Sequence, residues 1–115
     1  MKILIVDDDL HIQRLYKEEF EDEGYEVVVA SNGQEAIEMF EKEVPDIVTL
    51  DILLPDVDGI RILRQMKEKN PKIPIIMSTA YDYRDDFAVW ASEAYIVKSS
   101  DLDELKAMIK KLLNK

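Results

Sequence analysis

Residues 47–59 read Ile47-Val48-Thr49-Leu50-Asp51-Ile52-Leu53-Leu54-Pro55-Asp56-Val57-Asp58-Gly59, and the reading of this stretch decides the fold. A short, partly β-branched apolar run ends on a carboxylate at Asp51. The chain then passes through a loop carrying Pro55, and apolar residues return at Ile60, Leu63 and Met66 with helical spacing. Near-continuous apolar character suits a strand covered on both faces, as in parallel sheets. The stretch therefore predicts a buried strand, a polar residue at its carboxyl end, and a helix that crosses back over the sheet.

The same unit recurs on either side. Apolar runs occupy residues 3–6, 27–30, 73–77 and 95–97 as well. Between them, Ile12, Leu15, Tyr16 and Phe20 form a helical stripe that stops at Gly24, a suitable terminator. Ala36, Ile37 and Phe40 form a second stripe before Pro45, and the third ends near Asn70-Pro71. Leu102, Leu105, Met108, Ile109 and Leu112 form the last, with lysines gathered where the helix dipole favours them. A short, weakly patterned helix is expected over residues 84–92. Repeated strand–helix alternation implies right-handed βαβ units and an α/β three-layer sandwich. No Gly/Ser linker or repeat divides residues 1–115, so a single domain is expected. The last stripe ends close to the final residue, so no output domain is expected.

Composition excludes several classes of function. The 115 residues carry 25 acidic and 15 basic side chains, a formal net charge of −10. Such a chain is a poor partner for nucleic acid or an anionic membrane surface, since phosphates attract Lys and Arg. With no cysteine, disulfides, thiol nucleophiles and zinc–thiolate sites are excluded, and a lone His11 does not build a histidine metal cage. No apolar run approaches the roughly 20 residues of a membrane span, and the stretch from Met1 to Val6, which runs straight into acidic residues, is expected to be too short for a signal peptide. A cytoplasmic monomer is expected. At this size roughly two thirds of the unfolded surface becomes buried, enough for a substantial core.

The chemistry follows from what ends each run. The first ends in Asp7-Asp8-Asp9, the third in Asp51, the fourth in Ser78-Thr79 and the fifth in Lys98. In open α/β sheets, ligands bind beyond the carboxyl ends of the strands. These residues should therefore converge on one cleft. Clustered carboxylates repel one another, and a hard divalent cation relieves the repulsion; an all-oxygen donor set of this kind suits Mg²⁺. A lysine and a hydroxyl beside it can hold a phosphoryl group by charge and hydrogen bonding. An aspartate there can act as the nucleophile and carry an aspartyl-phosphate, a reaction that depends mostly on positioning and charge neutralisation.

With these residues in order, the sequence resembles the receiver domains of bacterial two-component response regulators over its whole length. The resemblance rests on Asp7-Asp8, on residues 49–59 around Asp51, on Ser78-Thr79-Ala80, and on Tyr95-Ile96-Val97-Lys98. It implies a flavodoxin-like, doubly wound, five-stranded parallel sheet of order 2-1-3-4-5. It also implies that Asp51 is the phosphoacceptor and that Mg²⁺ is held by Asp8, Asp51 and the backbone carbonyl of Leu53, with Asp7 acting through a bound water. Thr79 would hydrogen-bond the phosphoryl group, Lys98 would pair with it, and Tyr95 would be a rotameric switch. The implied partners are a histidine kinase or phosphotransfer protein and an unknown downstream protein. The chain looks most similar to single-domain regulators of sporulation phosphorelays and chemotaxis. Such a protein catalyses its own phosphorylation and dephosphorylation and has no free substrate.

The sequence departs from the family pattern in its second half. Ser99 follows the site lysine where the family usually has proline, and Ala91-Ser92 replaces a Gly-Ala pair. Residues 79–98 are about one helical turn short, which predicts a shortened fourth helix and an altered readout surface. Two rival readings follow. One is a degenerate receiver serving as a phosphorylation-independent interaction module. The other is a metal-dependent phosphohydrolase, which would need an acid where Leu53 stands. Asp9 is expected to start the first helix rather than bind metal. His11 should be an exposed helical residue, and Glu18, Glu19, Glu21, Asp22 and Glu23 a solvated helix end.

Overall fold

The apolar runs pair into one parallel sheet in the computed structural model, which describes residues 1–79, 94–97 and 102–113. Its elements are β1 (Lys2–Val6), α1 (Leu10–Asp22), β2 (Glu26–Ala30), α2 (Gly33–Glu43) and β3 (Ile47–Leu50). They continue with α3 (Gly59–Lys69), β4 (Ile75–Thr79), β5 (Ala94–Val97) and α4 (Asp103–Leu113). The sheet order among the described residues is β2-β1-β3-β4-β5, which gives the flavodoxin-like α/β arrangement. The short helix expected over residues 84–92 lies outside the described residues.

Side-chain alternation along the strands sorts the core into two clusters, one on each face of the sheet. Leu4, Val6, Val48, Leu50, Ile75 and Met77 pack with Ala36 and Phe40 of α2 and with Ile62, Leu63 and Met66 of α3. Ile3, Ile5, Ile47 and Ile76 pack with Tyr16 and Phe20 of α1 and with Leu105 and Ile109 of α4. Lys106 reaches Glu19 at 2.9 Å and so links the two helices of this second layer.

The start of the fourth strand and the inward face of α1 differ from the sequence expectation, each for a local reason. The fourth strand begins at Ile75 rather than at Ile73. The Ile73 N–H is taken by the Asn70 carbonyl at 3.2 Å, and Pro74 has no N–H to give to a ladder. The inward face of α1 is Gln13, Tyr16 and Phe20, whereas Leu15 is 37% exposed. The rings of Tyr16 and Phe20 meet edge-on with centroids 5.7 Å apart, and they fix the rotation of the helix about its axis. Burial of the Gln13 amide is compatible with that rotation because the amide is hydrogen-bonded.

Helix ends follow the chemistry of their residues. Asp9 caps α1, accepting from the N–H groups of His11 and Ile12, and His11 is exposed, both as expected. Gly24, at φ +94°, supplies the left-handed turn into β2. Helix α2 ends less comfortably. Val44 takes a left-handed conformation, φ 47° and ψ 65°, immediately before Pro45, and its side chain is 72% exposed. That conformation crowds Cβ against the backbone by about 1–2 kcal/mol, with little burial to offset it. Glycine there would cost about 0.5–1 kcal/mol in chain entropy. Val44→Gly should therefore raise the unfolding free energy by roughly 0.5–1 kcal/mol. Urea unfolding measures this directly, and a destabilised variant would contradict the reading.

Candidate functional site

Strands β1 and β3 are neighbours in register, with Val6 opposite Leu50. The residues that follow, Asp7 and Asp51, therefore leave the sheet side by side. Each remains fixed by one further backbone bond beyond its strand. The Asp7 N–H donates to the Ala30 carbonyl at 3.0 Å, and the Asp51 N–H donates to the Val6 carbonyl at 3.0 Å. Their carboxylates fold back onto local backbone: Asp7 accepts from the Asp9 N–H at 2.9 Å, and Asp51 from the Leu53 N–H at 3.3 Å. Asp7 is 3% exposed and Asp51 6%, whereas Asp8 faces solvent.

One carboxylate oxygen from each of Asp7, Asp8 and Asp51 can lie within 4.8 Å of the others. Two of the three are nearly closed to water, so salt screens their repulsion poorly. A hard divalent cation neutralises such a set, and donors that are all oxygen select Mg²⁺ over zinc or copper. The residues present thus fit Mg²⁺, and Asp8 keeps the cluster open to solvent on one side.

The loop after Asp51 is held at three points. Gly59 donates its N–H to the Ile52 carbonyl at 2.7 Å. A Cβ on Gly59 would overlap the Asp51 carbonyl oxygen and lie 2.8 Å from Cα of Ile52, so only glycine lets α3 start this close to Asp51. Asp58 caps α3, accepting from the Ile60 N–H at 2.9 Å. Asp56 reaches across to the start of α2, where its two oxygens accept from the Gly33 N–H at 2.8 Å and the Gln34 N–H at 3.0 Å. Leu53 stands between these anchors with its side chain 48% exposed.

On the far side of the cleft, Thr79 closes β4 opposite Val97, and Tyr95 pairs in register with Met77. Lys98 and the side chains of Thr79 and Tyr95 lie outside the described residues. The buried Ser78 hydroxyl lies 3.5 Å from the Tyr16 hydroxyl, so α1 touches the end of β4 next to Thr79.

Three contributors escaped the sequence reading. Asp58 was detectable, since an aspartate directly before an apolar helical stripe is an N-cap signal. Asp56 was not, because its partners are 22 and 23 residues away on another element. Gln13 was also missed, as a polar residue among apolar neighbours.

Known proteins place this chain in a family. The response regulator receiver domain matches residues 3–110, and the chain belongs to that family. It is similar to sporulation initiation phosphotransferase F of Bacillus subtilis, 40% identical over 97% of this chain and 93% of that one. It is also similar to the transcriptional regulatory protein TrcR of Mycobacterium tuberculosis, 39% identical, where it spans only 46% of the relative's length. Among solved structures, response regulator TrrA of Thermotoga maritima, determined with Mg²⁺–BeF, superposes with a TM-score of 0.93 at 44% identity, covering 97% of this chain and 98% of that one. TrrA in complex with the histidine kinase ThkA gives a TM-score of 0.92 at the same identity, covering 97% of each chain. Receiver domains are signalling switches. Among the described residues, no helix is long and apolar enough to cross a membrane.

The Asp56 anchor has a pH signature. The N–H groups of Gly33, and secondarily Gln34, hold its carboxyl below the usual carboxylate range, against a smaller opposing effect of burial. A lowered folded-state pKa contributes stability above the unfolded value of about 4 and loses it as pH falls through the folded value. Asp56→Ala should therefore be less stable than the parent at neutral pH, and the gap should close as pH drops below about 4. A gap that stays constant from pH 7 into that acid range would show that the charge does not act at the α2 terminus.

Proposed function

We propose that the chain is a phosphorylation switch in which Asp51 accepts a phosphoryl group from a histidine kinase or phosphotransfer protein in a Mg²⁺-dependent reaction. The observation that carries this reading is the position of Asp51 itself. It sits at the end of a buried strand, 6% exposed, with a carboxylate oxygen in the same small cluster as those of Asp7 and Asp8. The likeness to TrrA, which has been solved with Mg²⁺–BeF and with a histidine kinase, supports the same reading.

A carboxylate oxygen of Asp51 attacks the donor phosphorus. The bond from phosphorus to the donor nitrogen or oxygen breaks, and the leaving group departs with the electron pair and takes up a proton. Asp8, Asp51 and the Leu53 carbonyl would hold Mg²⁺, with Asp7 acting through a water, and the ion supplies neutralisation of charge on the transferring oxygens. Thr79 donates a hydrogen bond to the phosphoryl group and Lys98 pairs with it, roles suited by the place of Thr79 at the end of β4 and of Lys98 directly after β5 in sequence. Hydrolysis of the acyl phosphate by water resets the switch, so the domain catalyses both steps of its own cycle and no turnover of a free substrate.

Tyr95 reports the phosphorylated state to a downstream protein partner. The acidic charge favours a protein over nucleic acid in that role. We read residues 1–115 as one receiver domain acting as a cytoplasmic monomer. A phosphohydrolase reading is disfavoured by Leu53, an apolar side chain where a second acid would stand.

Incubation with acetyl phosphate and Mg²⁺ should add one phosphoryl group by intact mass, and Asp51→Ala should remain unlabelled. Full labelling of Asp51→Ala would sink the assignment.

A further inference from the structure

We infer that Gln13 is a positioning residue for the Mg²⁺ site, holding the Asp7–Asp8 pair in its binding arrangement from behind; this rests on the metal site proposed above. Gln13 lies on the inward face of α1, 8% exposed, in line with Tyr16 and Phe20. An apolar side chain would satisfy packing at that place, and a buried amide is costly unless its hydrogens are used. Both are used. Its Nε2 donates to the Asp7 carbonyl oxygen at 2.6 Å and to the Ser31 hydroxyl at 2.9 Å.

The first of these bonds acts on the metal ligands through peptide planarity. The Asp7 carbonyl belongs to the planar unit that contains the Asp8 nitrogen. Rotation of that plane is the motion that would swing one carboxylate relative to the other. Gln13 grips the oxygen edge of the plane. The neighbouring groups fix the rest of Asp7, with its N–H on the Ala30 carbonyl and its carboxylate on the Asp9 N–H. The second bond ties the grip to the turn between β2 and α2 at Ser31. Ser31 is itself held there, its N–H donating to the Glu35 carboxylate at 2.9 Å. Gln13 is not among the residues proposed above to hold the metal or the phosphoryl group. It acts by limiting how far the two carboxylates can spread when no ion is bound.

Groups that orient metal ligands without binding the ion are worth 10–100-fold in affinity when removed. Gln13→Met keeps the length and the packing but has no donor. Titration calorimetry with MgCl₂, run well below the melting midpoint, should show its dissociation constant raised about 10-fold or more over the parent. Ser31→Ala, which leaves the Asp7 bond in place, should change it less. A Gln13→Met protein that melts earlier yet binds Mg²⁺ as tightly as the parent would overturn the inference and leave the metal site standing. A parent that binds no Mg²⁺ would overturn both. A measurement on the parent alone guards against a variant that does not fold. The Gln13 side-chain amide signals should move during the MgCl₂ titration with the same midpoint as the Asp8 backbone amide. Stationary Gln13 signals beside a moving Asp8 amide would also overturn it.

Discussion

Parallel pairing of β1 with β3 forces carboxylates together at the edge of the core, and the rest of the site depends on that constraint. Val6 and Leu50 are register partners, so the next residues, Asp7 and Asp51, have no freedom to separate. Unit charges held within 4.8 Å of one another repel by roughly 3 kcal/mol or more at an effective dielectric constant of about 20. The sheet bears this strain because, among the described residues, apolar side chains of α2 and α3 cover one face and those of α1 and α4 the other. The destabilising element is thus local and the stabilising one is distributed. A divalent cation or a covalently bound phosphoryl group changes the charge balance only at the local element, as a switch requires.

Three further ties turn the loops around Asp51 into a rigid rim on the β1, β2 and β3 side. Gln13 joins the first loop to the second, Asp56 joins the third loop to the start of α2, and Gly59 presses α3 against the Asp51 backbone. The ties are polar or steric rather than apolar, so they specify position where the core supplies stability. Such a rim holds the Asp7, Asp8 and Asp51 carboxylates in place, so a cation entering the cluster would have few groups to reorder. Tyr16, through its hydroxyl beside Ser78, extends contact from the α1 layer to the strand that ends at Thr79.

What was legible in the sequence and what was not divides along the range of the interactions. Buried strands announce themselves as apolar runs, and the polar residues that end them share one edge of the sheet, so the clustering of Asp7, Asp8 and Asp51 is legible in the sequence. The roles assigned to them came from likeness to receiver domains, not from periodicity. Errors arose where a local bond outranked a pattern. Ile73 looked like strand but spends its N–H on a turn, and Leu15 looked like core although the rings of Tyr16 and Phe20 turn it outward. Asp56 and Gln13 were invisible because the groups they bind come near only once the chain has folded.

Metal-linked stability tests the central claim most directly. Binding to the folded state alone should stabilise the parent by about 2.7 kcal/mol when Mg²⁺ is present at about 100 times its dissociation constant. Asp8→Asn removes one of the crowded charges. It should therefore be more stable than the parent without metal and gain much less when Mg²⁺ is added. Thermal unfolding of both proteins with and without MgCl₂ gives all four values. A parent whose midpoint does not move at saturating Mg²⁺, together with an Asp8→Asn variant no more stable than the parent in its absence, would contradict the account.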